Sequence, residues 1–590
     1  MKRRDFALAA LAPMAPLWLT ACGGGENPGT PQGRAAQAMR SAAEYMDEVV
    51  SYRGGYVWSY SPDLQQTFGE MQAYRTMCWI QPPGTPSVGH VYLDAYHATG
   101  DERYYQAAER TTLAIVAAQH PSGGWNYIHD FAGEDSLRRW YDTIGRNGWR
   151  LEEFQHYYGN ATFDDAGTAV ASQLLLRMFL EKRDTRFLEP LQKAIGFVLG
   201  AQFGPEWGIA DGGWPQRFPH FPGAVSSMPP PHPEQVPAGA HAGMDDGDYT
   251  LHVTFNDDVM GENIKFLTMC VIALGDTRLV PAIGRAMECM RRMQQPGPQA
   301  GWGLQHLSRP QDSRPAGAPA GARSYEPRSL ATHTTQTNIR QLFNYFQLTG
   351  DRRYLARIPE AIAWLRSCPL PAEALAANPL LSGRTHPTFV ELDTNDALYV
   401  HRYGSNVHNG GYYADKDYRA TLSHYSAGRA IDIAGLQSAY DRLSAMSDRD
   451  VADMAARSPL RTGTPRPLPT YFSIREVDFP DLFEGATMAT PAVTEAEAQQ
   501  LVDELGGRRY WTSPVPEIVN PYQGDGPAAA YTGSAYRSRH VGDVYDTSPY
   551  PADNPPEAAP YVKKDKPQFI VTSEWIRRMG RLIAYLAPVR

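Results

Sequence analysis

A motif repeated through the middle of the chain constrains the fold more than any other feature. Each copy has a helix-like segment, a turn of the Gly-Asp-x-Arg type, a second helix-like segment and, in three copies, a glutamine and a Gly/Trp loop. The turns are Gly100-Asp101-Glu102-Arg103, Arg183-Asp184-Thr185-Arg186, Gly275-Asp276-Thr277-Arg278 and Gly350-Asp351-Arg352-Arg353. Glycine can end one helix in the left-handed conformation, and aspartate can cap the next. Stacked helical hairpins predict a mainly α fold, an α/α barrel or toroid.

The apolar residues of the repeats have a helical period. In the third copy, Met260, Ile264, Leu267, Val271 and Leu274 follow one another at steps of three or four residues, which places them on one face of a helix. The loops that follow the second helices carry Trp125, Trp214 and Trp302 after glycine. In a toroid these loops lie at one end, so we expect them to converge on one mouth. The alternative is that each indole fills the interior of its own hairpin.

Two neighbouring stretches combine aromatic, amide and charged side chains. The sequence GGWPQRFP (residues 212–219) has two glycines and two prolines, and is therefore expected to form a ligand-facing loop. The sequence TFNDDVM (residues 254–260) places Asn256, Asp257 and Asp258 directly before a helix. One carboxylate is enough to cap that helix, so the run is open to two interpretations, a helix cap or a cation site.

These motifs resemble those of family 10 polysaccharide lyases, the pectate lyases. Further matching stretches follow the family's order between residues 84 and 418: GGWNYIHD (123–130), TFDDA (162–166), ARSYE (322–326) and LDTN (392–395) with RYG (402–404). The sequence departs from the family pattern at Ala166, Thr388 and Tyr403. These departures concern the metal shell and the charges that face the substrate more than the type of reaction.

The resemblance implies a role for individual residues. Asp164 and Asp257 would bind calcium, Arg323 would be the catalytic base, and Arg402 would bind the uronate carboxylate. The indoles of Trp125, Trp214 and Trp302 would be platforms for sugar rings. Candidate polar contacts to the substrate are Gln216, Arg217 and His129.

The implied reaction is calcium-assisted β-elimination on polygalacturonate or a related uronate polymer. Carboxylates supply the oxygen ligands that calcium prefers, and a dication would neutralise the charge that develops when the C5 proton is removed. Arginine is an unusual base because its pKa lies above about 12. Arg323 is therefore either a base whose pKa is lowered by its neighbours or an electrostatic stabiliser, and a salt bridge with Glu326 is the structural alternative.

The N-terminus predicts export. Arg3-Arg4-Asp5-Phe6 resembles a twin-arginine signal, and the sequence around Cys22 resembles a lipobox after a short apolar run. We expect a signal peptide (1–22), a tether (23–34), an α/α-barrel catalytic domain (35–465) and an irregular C-terminal extension with a final helix (466–590). The predicted location is periplasmic or cell-surface, with the chain a lipid-anchored monomer.

Composition and missing motifs narrow the functional classes. The net charge of −9 gives no general attraction to nucleic acid. The sequence has no HExxH, Walker loop, GxGxxG or serine elbow, so zinc, nucleotide and acyl-transfer chemistry are not indicated. Two alternatives to a lyase remain: an α/α-barrel glycoside hydrolase that uses paired carboxylates, and a non-catalytic glycan-binding surface lipoprotein.

Overall fold

The computed structural model describes most of the chain between residues 27 and 588. The described residues are 27, 29–70, 72–141, 159–220, 240, 246–323, 325–402, 412–419, 421, 425–461, 463–487, 489–514, 516–517 and 568–588. The predicted signal peptide with Cys22 and residues 518–567 of the predicted C-terminal extension lie outside these residues, and the domain boundaries stay predictions. In the described part, no helix has the length and apolarity needed to cross a membrane.

Helices make up most of the described structure. They are α1 (Pro31–Tyr45), α2 (Thr85–Thr99), α3 (Glu102–Ala118), α4 (Glu134–Trp140), α5 (Gly167–Lys182), α6 (Leu188–Ala201), α7 (Val259–Leu274), α8 (Val280–Arg292), α9 (Thr332–Thr349), α10 (Ile358–Ser367), α11 (Ala372–Ala377), α12 (Ile433–Ser444), α13 (Asp448–Ala456), α14 (Phe479–Glu484), α15 (Glu495–Leu505) and α16 (Thr572–Leu586).

The repeats form four successive helical hairpins, α2–α3, α5–α6, α7–α8 and α9–α10. The first helix of each hairpin lies in the inner layer: α5 packs against α2 and α7, and every residue of α7 is buried. The second helices are amphipathic and lie outside. At one end of the series α16 packs against α1 and α2, and at the other α9 packs against α12 and α13. The predicted mainly α, α/α-toroid class is confirmed.

Short strands connect the hairpins at the ends of the inner helices. They are β1 (Ser59–Tyr60), β2 (Thr67–Phe68), β3 (Gln72–Ala73), β4 (Met77–Trp79), β5 (Ile128–Asp130), β6 (Ala161–Thr162), β7 (Arg217–Phe218), β8 (Val253–Thr254), β9 (Gln305–His306), β10 (Pro319–Ala320), β11 (Leu330–Ala331), β12 (His386–Pro387), β13 (Phe389–Val390), β14 (Ala397–Arg402), β15 (Tyr412–Asp415), β16 (Gly428–Arg429) and β17 (Ile570–Val571). The pairs β6–β7 and β8–β9 are antiparallel, and each precedes an inner helix.

The repeated turns have the predicted chemistry. The side chains of Asp101, Asp184, Asp276 and Asp351 each accept a hydrogen bond from the backbone N–H two residues later. The residue before each of these aspartates ends the preceding helix at a positive φ. Three of these residues are glycines, and the fourth is Arg183. The same local capping therefore recurs in all four hairpins.

The glycine of each Gly/Trp loop allows the chain to pass close to the next hairpin. Gly212 has a φ of 92°, and a Cβ at this position would lie 2.2 Å from the carbonyl oxygen of Arg285. The glutamine that ends the outer helix fixes the same contact, because Gln202 Nε2 donates to the carbonyls of Gly212 and Ala282. Gln119 and Gln294 make the equivalent pairs of bonds in their own repeats.

A segment from the C-terminal region packs against the inner helices. The carboxylate of Asp94 accepts hydrogen bonds from the backbone of Phe472 and Ser473 and forms a buried ion pair with Arg177 at 2.6 Å. The Phe472 ring stacks on His90, and the Arg177 guanidinium lies 4.2 Å from that ring. Two inner helices, α2 and α5, thus hold this segment in place.

We expect Arg177→Ala to lower the free energy of unfolding by about 3–5 kcal/mol, because it leaves the buried Asp94 carboxylate without its counter-charge. Urea unfolding followed by circular dichroism measures the change. Arg449→Ala is the matched control, because its pair with Asp453 is exposed and 3.9 Å long. The control should cost no more than about 1 kcal/mol, and equal losses in the two variants would contradict this account.

Candidate active site and metal centre

Two homologous turns place acidic residues at the start of neighbouring inner helices. Residues Asp164–Ala166 precede α5 and Asn256–Asp258 precede α7, and both segments form 3₁₀ turns that contact each other. Asp165 and Asp257 occupy equivalent positions, with φ of 50° and 52°. This left-handed backbone is unusual outside glycine but is tolerated by Asp.

The two turns bring three carboxylates together. Asp164, Asp165 and Asp257 each offer an oxygen, and these oxygens lie within 4.8 Å of one another. The two predicted metal ligands, Asp164 and Asp257, are thus neighbours in space although 93 positions separate them in the sequence. Asp165 was not among the predicted ligands. The signal for it was available, since TFDDA aligned with TFNDD pairs Asp165 with Asp257.

Asp258 resolves the two interpretations of the acidic run. Its carboxylate caps α7 by accepting a hydrogen bond from Gly261 N, and it also accepts one from Gln341. Burial first, and then the charge of Glu262, raise the pKa of Asp258 to about 8. The cap and the acidic cluster therefore use different residues of the same run.

Asp165 is oriented by two hydrogen-bond donors from distant parts of the chain. Tyr127 donates its hydroxyl to Asp165 Oδ2 at 2.6 Å, and Gln81 Nε2 donates to the same oxygen at 2.7 Å. Gln81 also donates to Glu70 at 3.1 Å. The sequence indicates Gln81 only as the start of a proline-rich loop (81–86) that could lie at the same end, and its partner is 84 residues away.

Arg323 lies beside the cluster and is held by three groups. Its Nη1 donates to Asp164 Oδ2 at 3.0 Å, and its Nε and Nη2 donate to the two oxygens of Glu326 at 3.0 and 2.7 Å. Its Nη2 also donates to the Tyr425 hydroxyl at 2.9 Å. The salt bridge with Glu326 that the sequence offered as an alternative is therefore present, and Arg323 contacts a member of the acidic cluster as well.

Tyr425 links the arginine to the second acidic turn. Its hydroxyl donates to Glu326 Oε1 at 2.8 Å and accepts from Asn256 Nδ2 at 3.2 Å. Asn256 Nδ2 also donates to Asp257 Oδ2 at 2.8 Å. This tyrosine comes from a late part of the chain that carried no site prediction.

The pKa values of the cluster diverge because close carboxylates cannot all ionise freely. Burial alone would raise the pKa of Asp164, but Arg323 and a hydrogen bond shared with Asp257 hold it well below its usual range. Burial and the Asp164 charge raise the pKa of Asp165 to about 6. Desolvation and the charges of Asp165 and Asp164 raise the pKa of Asp257 well above its usual value. Without a cation, the cluster therefore keeps protons at mildly acid pH.

The cluster fits a hard divalent cation. Calcium–oxygen distances of about 2.3–2.6 Å allow two ligand oxygens on one ion to lie up to about 5 Å apart. The three oxygens satisfy that limit. In addition, Asp164 Oδ1 is buried and has no hydrogen-bond partner among the described residues. A buried carboxylate oxygen left without a donor is an available ligand.

The surroundings of Arg323 favour its charged form. Burial acts to lower the pKa of Arg323, but Glu326 first, and then Tyr325, Tyr425 and Asp164, raise it well above its usual value. A proton acceptor needs the opposite shift. The base role proposed for Arg323 therefore requires that its contact with Glu326 be weakened during the reaction.

The prediction that three tryptophans are sugar platforms is wrong. Trp125, Trp214 and Trp302 are all fully buried. Each indole N–H donates to a backbone carbonyl of its own outer helix, at Ile115, Val198 and Met290 respectively. Each ring fills the interior of its own hairpin, as the alternative interpretation of the sequence predicts. A ring without exposed faces cannot stack on a sugar.

Gln216 and Arg217 support the acidic turns rather than facing solvent. Gln216 is fully buried; its Oε1 accepts from Gln305 at 2.9 Å, and its backbone carbonyl accepts from Phe163 N. Arg217 is also buried, with its guanidinium 5.4 Å from the Tyr127 ring, and its charge helps to lower the pKa of Asp164. Direct substrate contact by these two residues is not supported by this burial.

The remaining predicted contacts have mixed outcomes. His129 is half-buried and packs edge-on against Phe131, and its substrate contact stays a prediction. Arg402 ends β14, where it pairs with Tyr412, but its side chain lies outside the described part of the structure. Thr388 is buried and donates its hydroxyl to the Ser426 carbonyl, so this position contributes no charge to the site.

We expect Trp214→Ala to cost about 3–5 kcal/mol of stability, because it empties a buried hairpin interior. Trp207→Ala is the control: Trp207 is half-buried against Phe203, and we expect a loss of about 1 kcal/mol. Urea unfolding measures both. A Trp214→Ala protein of wild-type stability that has lost only glycan binding would restore the platform interpretation.

Comparison with known proteins agrees with the sequence motifs. The family model described as Pectic acid lyase matches residues 141–421, just under half of the chain. This region contains both acidic turns, Arg323 and Arg402. The match confirms the resemblance to pectate lyases and the enzyme class, a polysaccharide lyase. No curated protein matches the chain.

Three solved structures match parts of the chain at low sequence identity and low TM-score. A family 10 polysaccharide lyase from Cellvibrio cellulosa is 16% identical, covers 63% of this chain and 97% of its own, and gives a TM-score of 0.33. A GH76A alpha-1,6-mannanase from Salegentibacter sp. HEL1_6 is 12% identical, with 58% and 72% covered and a TM-score of 0.30. A sugar epimerase from a ruminal bacterium is 9% identical, with 71% and 88% covered and a TM-score of 0.37. Identities and TM-scores this low support no conclusion about the function of this chain.

Proposed function

We propose that this protein cleaves polygalacturonate or a related uronate polymer by calcium-assisted β-elimination. The observation that carries the proposal is the Asp164–Asp165–Asp257 cluster, with Arg323 bound to it, inside the region matched by the pectic acid lyase family. We also propose that the chain is an exported, lipid-anchored protein, on the strength of the N-terminal sequence alone.

The reaction needs a group that stabilises negative charge. Removal of the proton from C5 of a uronate leaves an enolate-like carbanion, whose charge spreads onto the neighbouring carboxylate before the C4 oxygen departs. A bound calcium ion would attract the uronate carboxylate and neutralise this charge. The three aspartates would hold the ion, and Tyr127 and Gln81 would keep Asp165 in position for it.

The local charge supports a cation-bridged substrate. The three aspartates and Glu326 place four acidic groups around Arg323, so a polyanion would be repelled by the protein alone. A dication at the cluster would reverse that repulsion. Hydrogen bonds through Tyr425 and Asn256 connect Arg323 to the second acidic turn and hold the two at a fixed separation.

We expect calcium-dependent lyase activity to require Asp257 but not Asp258. Asp257→Asn should lower the rate of absorbance increase at about 235 nm on polygalacturonate by about 100-fold or more, because a ligand is lost. Asp258→Asn is the matched control, since asparagine caps a helix as well as aspartate. A chelator should abolish the wild-type signal. Equal losses in the two variants, or a signal that the chelator leaves intact, would count against the metal site.

We expect calcium to stabilise the protein more at neutral than at acid pH. Asp165 has a pKa of about 6 in the folded protein, so without metal its stabilising contribution is present at low pH and is lost as the pH rises through 6. Calcium binds the ionised carboxylates, so its stabilisation should grow over the same range. The unfolding midpoint, with calcium and with chelator from pH 5 to pH 8, measures this. A shift that does not depend on pH, or that persists in Asp257→Asn, would contradict it.

The role of Arg323 can be tested through its partner. Glu326→Gln removes the main charge that raises the Arg323 pKa. If Arg323 is the base, it acts in its deprotonated form, so the limb on which kcat/KM rises with pH should move to lower pH in this variant. If Arg323 only stabilises charge, the limb should stay in place while the rate falls.

A glycoside hydrolase is the second candidate. The favouring observation is the divergence of carboxyl pKa values, with that of Asp164 lowered and that of Asp257 raised, as in an acid–base pair. A hydrolase would release saturated products and new reducing ends without the ultraviolet signal. Product analysis therefore separates the two reactions directly.

A further inference from the structure

Arg429 lies at the edge of the candidate site on a fixed backbone. It belongs to β16, which pairs with β12 through His386. Its carbonyl accepts a hydrogen bond from Thr385 N at 2.9 Å. The guanidinium carbon lies 5.8 Å from the centre of the Tyr425 ring, the same tyrosine that bonds to Arg323.

The guanidinium of Arg429 has no acidic partner in the part of the chain that the structure describes. Its Nε is buried and lacks an acceptor. By contrast, Arg419 forms an ion pair with Asp417 at 2.8 Å, and Arg323 forms ion pairs with Asp164 and Glu326. A buried donor without an acceptor is destabilising, so this arrangement is unfavourable in the protein alone.

The groups around Arg429 leave its charge largely uncompensated. Burial first, and then the charge of Arg384, lower the pKa of Arg429, while Tyr425 and Asp257 act in the opposite direction. His333 is also close; burial and Arg429 lower the pKa of His333 to about 3, so it is neutral. Arg384 thus adds a second positive charge near Arg429, while His333 is neutral and Asp257 offsets only part of the charge.

We propose that Arg429 binds a carboxylate of the uronate chain, at a sugar next to the one held at the acidic cluster, with Arg384 adding positive charge. A guanidinium with free donors matches a carboxylate in bidentate geometry. The contact with the ring of Tyr425, whose hydroxyl bonds to Arg323 and Asn256, places this anion site at the border of the catalytic centre. The inference rests on the proposed function and adds a requirement for an unesterified uronate at that neighbouring position.

The test compares Arg429→Gln with Arg419→Gln, two variants with the same loss of charge. Binding to polygalacturonate is measured by affinity electrophoresis, and KM and kcat are measured on polygalacturonate and on its methyl-esterified form. We expect Arg429→Gln to weaken binding and raise KM by about 10-fold or more, with kcat less affected, since the contact is made in ground and transition states alike. Arg419→Gln should behave like wild type, and Arg429→Lys should recover part of the affinity.

Methyl esterification gives a second readout that a merely structural role would not move. Wild-type binding should weaken on the esterified polymer, whereas Arg429→Gln should discriminate less between the two polymers. Unchanged binding in Arg429→Gln, or an undiminished discrimination, would overturn the proposal. Binding of polygalacturonate without any cleavage would refute the lyase function while the binding comparison still judges Arg429. Failure of the wild-type protein to bind any uronate polymer would refute both.

Discussion

The close approach of three carboxylates is the constraint on which the candidate site depends. Like charges within 4.8 Å repel one another, so the fold must hold Asp164, Asp165 and Asp257 together against that repulsion. It does so by fixing two turns at the starts of adjacent buried helices and by setting Arg323 against Asp164. Protons or a bound dication would then neutralise the remaining negative charge of the cluster.

The rigidity of these turns comes from the hairpin framework around them. The carbonyls of Trp125 and Trp214 accept hydrogen bonds from Thr162 N and Thr254 N, just before the two acidic turns. The buried indoles and the capping glutamines fix the loops that carry these carbonyls. The repeat thus serves the site indirectly: its aromatic residues hold the backbone that positions the acids.

The two arginines at the site have different electrostatic surroundings. Arg323 is neutralised by Glu326 and Asp164 and is part of the fixed framework. Arg429 is left without an acidic partner in the described part of the chain, and for that reason we propose it as a contact for an anion. Tyr425 lies between the two arginines.

The sequence predicted the helices, caps and turns of the repeat correctly. Helical periodicity, the Asp caps and the Gly-Asp-x-Arg turns depend on residues within a few positions of each other, so they predicted the α/α toroid and its four hairpins. The alignment of TFDDA with TFNDD likewise contained the acidic cluster, although the prediction took only Asp164 and Asp257 from it. The role of Arg323 beside those acids came from the family resemblance instead, because 159 positions separate it from Asp164.

Only the tertiary structure decided how side chains from distant segments meet. Burial showed that the tryptophans fill their hairpins, because an indole after glycine looks the same in sequence whether it faces a ligand or a core. Gln81, Tyr127 and Tyr425 entered the site through contacts across 38 to 169 residues, which no local pattern encodes. The sequence by itself determined the helices, caps and acidic residues; packing alone determined which of them face one another.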